Sequence, residues 1–468
     1  MIDLLKDVLS SFENCEYDIS LSYHRQNWRK FTFLNGKKER ASRGEDCGVM
    51  LAIAKDGKVL RMASPSIDRR SLKNLINQSI TYFVRAEEYF LVDSNFRMTT
   101  GEISDGGNFN PMPDDTISDV LSVATEVKTN WLDNMRASIS ETCEERIIVN
   151  SLGGVFSDKK YYTDFFQDAM GSRNGLSQNR SNGGAVFQGV VNEDFINTMK
   201  ERSGSLVEEL DRLLSAPVCP KMKADLLLPS DQMYIQIHES IGHPLELDRI
   251  LGDERNYAGG SFVCKEDFGH LTYGPKIMNV VFAPDEFVQP VGQRFDDTGS
   301  KTSSKHLIKD GLLVAGIGGA ESQRRLKVDG TASTRSSNWN RPPIDRMGNI
   351  NLQAGASSLD EMINSIENGI LMKTNRSWSI DDQRDKFQFG CEMGQLIKDG
   401  ELREVVRAPN YEGRTIPFWH SLKMVGDSNT VGDFGTSSCG KGEPNQAVRV
   451  GHRSPACLFS DISIFPGE

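Results

Sequence analysis

The chain opens on apolar positions three and four apart. Leu4, Leu5, Val8, Leu9 and Phe12 share one face, which predicts a helix over residues 1–13. Alternating apolar and polar positions follow, the period of half-buried strands, at 17–23, 30–34, 48–54 and 59–63, with Asp56-Gly57 as the turn between the last two. A longer stripe (Leu72, Leu75, Ile76, Ile80, Phe83, Val84) predicts a helix over 68–89. Residues 90–113, rich in Ser, Asn, Gly and Pro, read as a loop. Asp115 caps a helix predicted to reach 134. Strands are predicted over 136–143, 145–150, 155–162 and 184–191, with 171–184 a polar, glycine-rich loop between them. A charged amphipathic helix over 193–214 follows, and Ala216-Pro217-Val218-Cys219-Pro220 then breaks the pattern.

Beyond this break, a strand over 224–228 leads into an apolar helix that carries His238. From 250 to 352, short apolar runs such as 277–282 and 312–317 alternate with Gly, Asp and Asn, and Asp310-Gly311 marks a turn. One helix is predicted over 358–368, then strands over 386–391, 393–398, 402–406 and 457–464. The reading is an α+β protein. Its N-terminal α/β domain, residues 1–218, has a mixed or antiparallel sheet with flanking helices. Its C-terminal domain, residues 219–468, is β-rich, a curved sheet or barrel that carries the helix around His238.

Composition narrows the function classes. The 468 residues allow two or three domains, and 38% hydrophobic with 25% charged residues is globular composition. A net charge of −11 argues against a nucleic-acid partner, which would call for a basic face. No apolar run reaches transmembrane length, so no membrane partner is expected. Asp3 and Asp7 interrupt the first apolar stripe, which therefore reads as an amphipathic helix and not as an export signal. The eight cysteines lack pairing motifs, which points to thiols in a reducing cytoplasm.

The candidate chemistry lies in Ile235-Gln236-Ile237-His238-Glu239-Ser240-Ile241-Gly242-His243-Pro244, which contains His-Glu-x-x-x-His. Neutral imidazole ligates zinc, and a carboxylate beside a ligating histidine can act as general base on water. Histidines five apart lie about 140° apart on an ideal helix, so a regular helix would aim the rings in different directions. A single π-turn absorbs the extra residue and brings them together. Gly242, with its backbone freedom, and Pro244, which lacks a donor, both suit such a distortion. A hydrolytic zinc site takes three protein ligands. For the third, Glu246 and Asp248 stand close by, as ligands or as groups orienting a ligand, and His24, His270, His306, His420, His452 and Cys439 lie further off. Read singly, the histidine pair could equally be packed core, Cys439 an inert buried thiol, and Glu246 and Asp248 helix-surface carboxylates. Gly440-Lys441-Gly442 is too short a pattern for a phosphate loop and lacks a following helix.

Taken together, His238-Glu239-x-x-x-His243-x-x-Glu246-x-Asp248 and the distant Cys439-Gly440-Lys441 resemble the metal-bearing TldD branch of the TldD/PmbA family of metallopeptidases. Arg346-Met347-Gly348-Asn349 and the Gly/Asp-rich stretch from Gly292 to Gly299 add to the resemblance, and a similar N-terminal arrangement of strands and helices extends it over nearly the whole chain. Pro244, where glycine is expected, and Gly348, in place of a larger polar residue, depart from the pattern. The resemblance implies metal ligation by His238, His243 and Cys439, with Glu239 as general base. It implies one Zn²⁺ per chain, although other divalent metals suit the same donors. It also implies cytoplasmic hydrolysis of small or unfolded peptides, by a homodimer or by a heterodimer with a related, metal-free subunit. His420, Tyr257 and Arg346 are candidate oxyanion donors, while His270, His306 and His452 are assigned no catalytic role. The competing reading is a non-catalytic peptide-binding or regulatory subunit whose metal, if any, is structural.

Overall fold

A computed structural model describes residues 1–85, 98–182 and 185–467. Strand (45%) outweighs helix (24%), in keeping with an α+β chain. The first half is built on an eight-stranded sheet. Its strands are β1 (Asp18–Leu34), β2 (Lys37–Lys55), β3 (Lys58–Ser64), β4 (Glu102–Gly106), β5 (Leu132–Asn150), β6 (Val155–Arg173), β7 (Leu176–Ser181) and β8 (Ala185–Gln188). Their order is β3-β2-β1-β5-β6-β4, with β7 and β8 also paired to β6. All pairings are antiparallel except β4 with β6. Helices α1 (Ile2–Ser10) and α2 (Arg69–Arg85) pack on one end of the sheet, where Leu5, Val8, Leu72 and Ile76 meet Ile19, Leu21 and Val49. Helices α3 (Asp114–Thr125) and α4 (Glu193–Leu213) cover the other end, over Phe31, Phe33, Ala137 and Ile139.

Several expected elements are corrected. The strands expected at 17–23 and 30–34 are one, because residues 24–29 stay paired on both sides, to β2 and β5. The expected pairs 136–143 with 145–150 and 386–391 with 393–398 are likewise continuous. Residues 171–184 are not a loop through their described part. Asn174 and Gly175, both at positive φ, close a tight turn from β6 into β7, the Asn-Gly chemistry of a two-residue hairpin. The helix expected to reach 134 stops at Thr125, and β5 begins at Leu132. Val84, assigned to the buried stripe of α2, is exposed. Residues 86–89 of that expected helix, and 90–97 of the expected loop, lie outside the described residues. Within the rest of that loop, Glu102–Gly106 forms β4.

In the second half, β9 (Met222–Leu228) joins a closed ring of strands. It pairs in parallel with Asn368–Ile380, which pairs with Lys386–Lys398, then Pro409–Arg414, then Cys457–Pro466, and so back to β9. The ring is a small barrel, the closed form of the expected curved sheet. The helix expected over 358–368 spans only Leu359–Asn364, because the chain turns into the barrel strand at Asn368. Helix α5 (Ser230–Ile237) packs its Met233 and Ile237 into the core formed with the barrel's Phe389, Tyr411 and Phe459. The Tyr411 hydroxyl donates to Gln236 and accepts from Gln232, each at 3.0 Å, so buried polar groups on α5 fix its rotation and depth. No helix among the described residues is long and apolar enough to cross a membrane.

Candidate metal centre

The π-turn expected from the five-residue spacing is present. Residues His238–Gly242 leave the α-helical pattern, and the His243 N–H reaches back to the His238 carbonyl, an i→i+5 bond. The Ser240 carbonyl is taken instead by the Tyr273 hydroxyl at 2.5 Å, and the Ser240 hydroxyl accepts from the Trp419 indole at 2.9 Å. These partners satisfy the polar groups that the widened turn exposes. Gly242 has an ordinary helical backbone, contrary to the expectation of special angles. Its missing side chain serves packing: a Cβ there would lie 2.0 Å from Met347 Sδ. Pro244 occupies the first turn of a short 3₁₀ segment, His243–Leu245, where its missing donor does no harm. Gly348 sits against Phe282, whose ring would be 2.8 Å from any added Cβ, which accounts for the small residue there.

The turn brings the two rings together. Their centroids are 4.7 Å apart and nearly perpendicular. Cys439, on the strand Gly432–Lys441, lies opposite, its Sγ 3.6 Å from His243 Nε2. One donor atom from each of His238, His243 and Cys439 lies within 4.8 Å of the others. Metal–sulfur and metal–nitrogen bonds of about 2.3 and 2.05 Å give a tetrahedral S···N edge of about 3.6 Å. The observed spacing therefore fits a tetrahedral zinc without rearrangement of that pair.

Hydrogen bonds behind the rings set which nitrogen faces the centre. The Ile350 carbonyl can only accept, so His452 Nδ1, 3.1 Å away, carries the proton. Neutral His452 then offers Nε2 as an acceptor to His238 Nδ1 at 3.0 Å, and His238 Nε2 keeps its lone pair for the centre. The Glu246 carboxylate does the same for His243, accepting from Nδ1 at 2.9 Å. Burial lowers the pKa of His238 and His243 and drives that of His452 well below the usual imidazole range, so all three rings are neutral. Burial pushes the Cys439 thiol up, but the Arg346 charge and the neighbouring His243 ring more than offset it, and the net shift is downward. Neutral imidazoles and a readily ionised thiol are the donor set zinc requires.

His452, to which the sequence reading gave no catalytic role, thus orients a candidate ligand. Glu246 supports a ligand and is itself outside the donor cluster. Asp248 makes no hydrogen bond to either ring and bonds instead to residues behind them. It binds Lys441 Nζ at 2.6 Å in a fully buried charge cluster, where Lys441 also lies 3.4 Å from Glu246 and 3.8 Å from Glu254. Those carboxylates hold the Lys441 pKa up despite its burial. Arg346 donates to the Cys439 carbonyl and ties the Arg-Met-Gly-Asn segment to the thiol's strand. His420 bonds to the Thr272 carbonyl, and the Tyr257 hydroxyl bonds to Asn445. Sequence reasoning missed Arg384. Its guanidinium donates to Glu239 Oε2 at 2.5 Å, although Asp381-Asp382-Gln383-Arg384-Asp385 carries no recognisable motif.

Residues 221–465 match the model of the PmbA/TldA metallopeptidase C-terminal domain. The chain belongs to the TldD/PmbA family of metallopeptidases. A metalloprotease of Methanocaldococcus jannaschii is 23% identical over 445 residues, covering 93% of each chain. A zinc metalloprotease TldD homolog of Saccharolobus solfataricus is 23% identical over 240 residues, 51% of each. Among solved structures, a Thermotoga maritima protein described as a candidate modulator of a DNA gyrase superposes with a TM-score of 0.76 at 14% identity, covering 99% of this chain and 100% of that one. TldE of Thermococcus kodakarensis gives 0.73 at 12% identity, covering 98% and 99%. At these identities the structures establish a shared fold. The family's matched region holds all three candidate ligands as well as Glu239, Arg384 and His452.

Proposed function

We propose that this TldD/PmbA family member is a zinc-dependent peptidase acting on small or unfolded peptides in the cytoplasm. His238, His243 and Cys439 hold the metal, and Glu239 is the general base. The observation that carries the reading is the convergence of two lone-pair nitrogens and one thiol with a carboxylate beside them. Zinc bound there supplies Lewis acidity toward water and the scissile carbonyl. Glu239 takes the proton from water and delivers it to the departing amine. The candidate substrate cleft, of about 360 Å³, is lined by Tyr234, Thr436 and Ser437, close in sequence to His238 and Cys439, and by Lys30, Asp164 and Phe166 of the N-terminal sheet. Residues 1–218 and 219–468 act as two domains, the first supplying a wall of the cleft and the second the chemistry. The fold shared with TldE supports assembly of two related subunits, as a homodimer or with a metal-free partner.

The alternative, a non-catalytic binding subunit with a structural metal, would bring a fourth side chain to the ion. Among the described residues the donor cluster has three, and the neighbouring carboxylates Glu239 and Glu246 are engaged by Arg384 and His243. The test is metal content of wild type and Cys439→Ala, with peptide cleavage by Glu239→Ala. About one zinc per wild-type chain, sharply reduced in Cys439→Ala, and retained metal without cleavage in Glu239→Ala are the expected results. No metal in wild type after zinc resupply, or full cleavage by Glu239→Ala, would overturn the assignment.

A further inference from the structure

Glu239 faces a conflict. It is next in sequence to a candidate ligand, on the same π-turn, and its charge acts on the His238 ring. A carboxylate is itself a good zinc ligand. If it closed onto the metal, it would fill the position that a hydrolytic site must leave open. Yet the donor cluster excludes it, and the one side chain it bonds among the described residues is Arg384. The contact is one-sided. Arg384 Nη1 holds Oε2 at 2.5 Å, while Oε1 makes no protein hydrogen bond among the described residues and is not sealed from solvent.

Arg384 is itself held by its surroundings. Its backbone sits at φ 64°, in the turn that joins two barrel strands. Its N–H bonds to the Asp381 carbonyl at 2.9 Å, and its carbonyl accepts from Thr415 Oγ1 at 2.7 Å. Asp381 Oδ1 caps the Asp385 N–H at 2.8 Å. The Asp382 and Gln383 carbonyls each accept at 2.8 Å from Gly260 and Phe262. Gly259 approaches so closely that a Cβ would lie 2.3 Å from the Asp382 carbonyl oxygen. A turn tied on three sides delivers a guanidinium to one oxygen of one carboxylate.

We propose that Arg384 is a positioning residue that tethers Glu239 away from the metal, keeping the fourth coordination position open and one carboxylate oxygen free for water. Because it rests on the zinc-peptidase reading, its test is made independent of any substrate. A guanidinium suits the task because it stays charged and its planar fork fixes direction, whereas an ammonium would supply the charge with less of the geometry.

The test uses the full-length chain loaded with Co²⁺, whose visible absorption reports coordination number and ligand set. Wild type, Arg384→Ala, Arg384→Lys, Glu239→Gln and the double variant Arg384→Ala/Glu239→Gln are compared, each with metal content. Arg384→Ala should keep about one metal per chain but change its spectrum. Arg384→Lys should restore most of the wild-type spectrum. The double variant should match Glu239→Gln alone, since an amide does not replace the carboxylate as ligand. With zinc, Arg384→Ala should lose roughly 10²-fold in kcat, the size of a misplaced general base. An unchanged spectrum in Arg384→Ala, loss of its metal, or a spectral change that persists in the Glu239→Gln background would each overturn the proposal. Arg384→Gln, read the same way, replaces the alanine variant if that chain does not fold. If the spectral pattern holds while zinc-loaded wild type cleaves no peptide, the peptidase reading fails and the tether stands.

Discussion

The relay from the Ile350 carbonyl through His452 to His238 can be broken at its middle with little change in volume. His452→Phe keeps a ring but removes the acceptor for His238 Nδ1–H and the donor to Ile350. The site is closed, His452 being 1% exposed, so neither group finds water easily. An unsatisfied buried polar group costs about 1–3 kcal/mol. Part of that cost falls on metal binding, because His238 loses the bond that fixes its ring and tautomer. Removal of such an orienting partner weakens metal affinity about 10–100-fold, or about 1.4–2.7 kcal/mol. Competition with a chromophoric chelator at pH 7.5 measures this directly. Zinc affinities equal within twofold would refute the relay and leave His452 as packing alone.

The same variant carries a pH signature in the metal-free chain. Burial holds the His452 pKa well below 6.5 in the folded state. Between that depressed value and the unfolded value near 6.5, the unfolded chain binds the extra proton, so stability falls as pH falls. For a ring that stays neutral when folded, the loss between pH 7.5 and 5.5 is about 1.4 kcal/mol. Urea unfolding with chelator present should therefore show a smaller difference between these pH values in His452→Phe, by about that amount. An identical difference in both proteins would contradict a buried neutral His452.

Other expectations follow from the packing around the centre. Gly242→Ala forces a methyl against Met347 Sδ and should cost about 1–3 kcal/mol in urea unfolding, with partial recovery when Met347→Ala is added; no destabilisation would mean the contact is not tight. Lys441→Met leaves Asp248, Glu246 and Glu254 buried without their shared cation and should cost about 3–5 kcal/mol, read from the denaturation midpoint. Arg180→Met strips the charged partner from buried Glu392, leaving its bonds from Ser181, and should destabilise by a similar amount without changing metal content, because neither residue belongs to the donor cluster. Metal lost in that variant would show that the N-terminal sheet shapes the site.

The candidate centre was legible in the sequence because its donors are mostly local. His238, Glu239 and His243 fall within six residues, and their odd spacing specifies the π-turn that the structure contains. Cys439, about two hundred residues away, was one of several possible third ligands, and only the family resemblance singled it out. His452 and Arg384 stayed hidden for a different reason. Each acts through one long-range hydrogen bond, to His238 and Glu239, and nothing in its neighbouring sequence marks that partner. The long strands were underestimated on similar grounds. Residues 24–29 suggest a break when alternation is judged by apolarity, but His24 and Gln26 bond to Glu144, Gln26 also reaches the Ser337 carbonyl, and the ladder runs through them. Residues 171–184 misled by composition, although Asn174-Gly175 is itself a hairpin signal.

That continuity gives the N-terminal sheet a parity rule. At about 3.3 Å per residue, the nineteen residues of β5 span about 60 Å. Odd-numbered positions serve two separate helical covers: Ile147 and Val149 at one end, Ala137 and Ile139 at the other. Even-numbered positions between them turn to the opposite face and meet the C-terminal half. There Arg146 donates to the Ser336 carbonyl at 2.8 Å, and Thr142 accepts from Arg449 at 3.0 Å. A single residue inserted near the middle of β5 would exchange the faces beyond it, exposing one apolar cover and burying charge beneath it. Length in these strands can therefore change only in steps of two, matched on the neighbouring strands, so the sheet acts as a ruler that sets how far the wall of the cleft lies from the helices at either end.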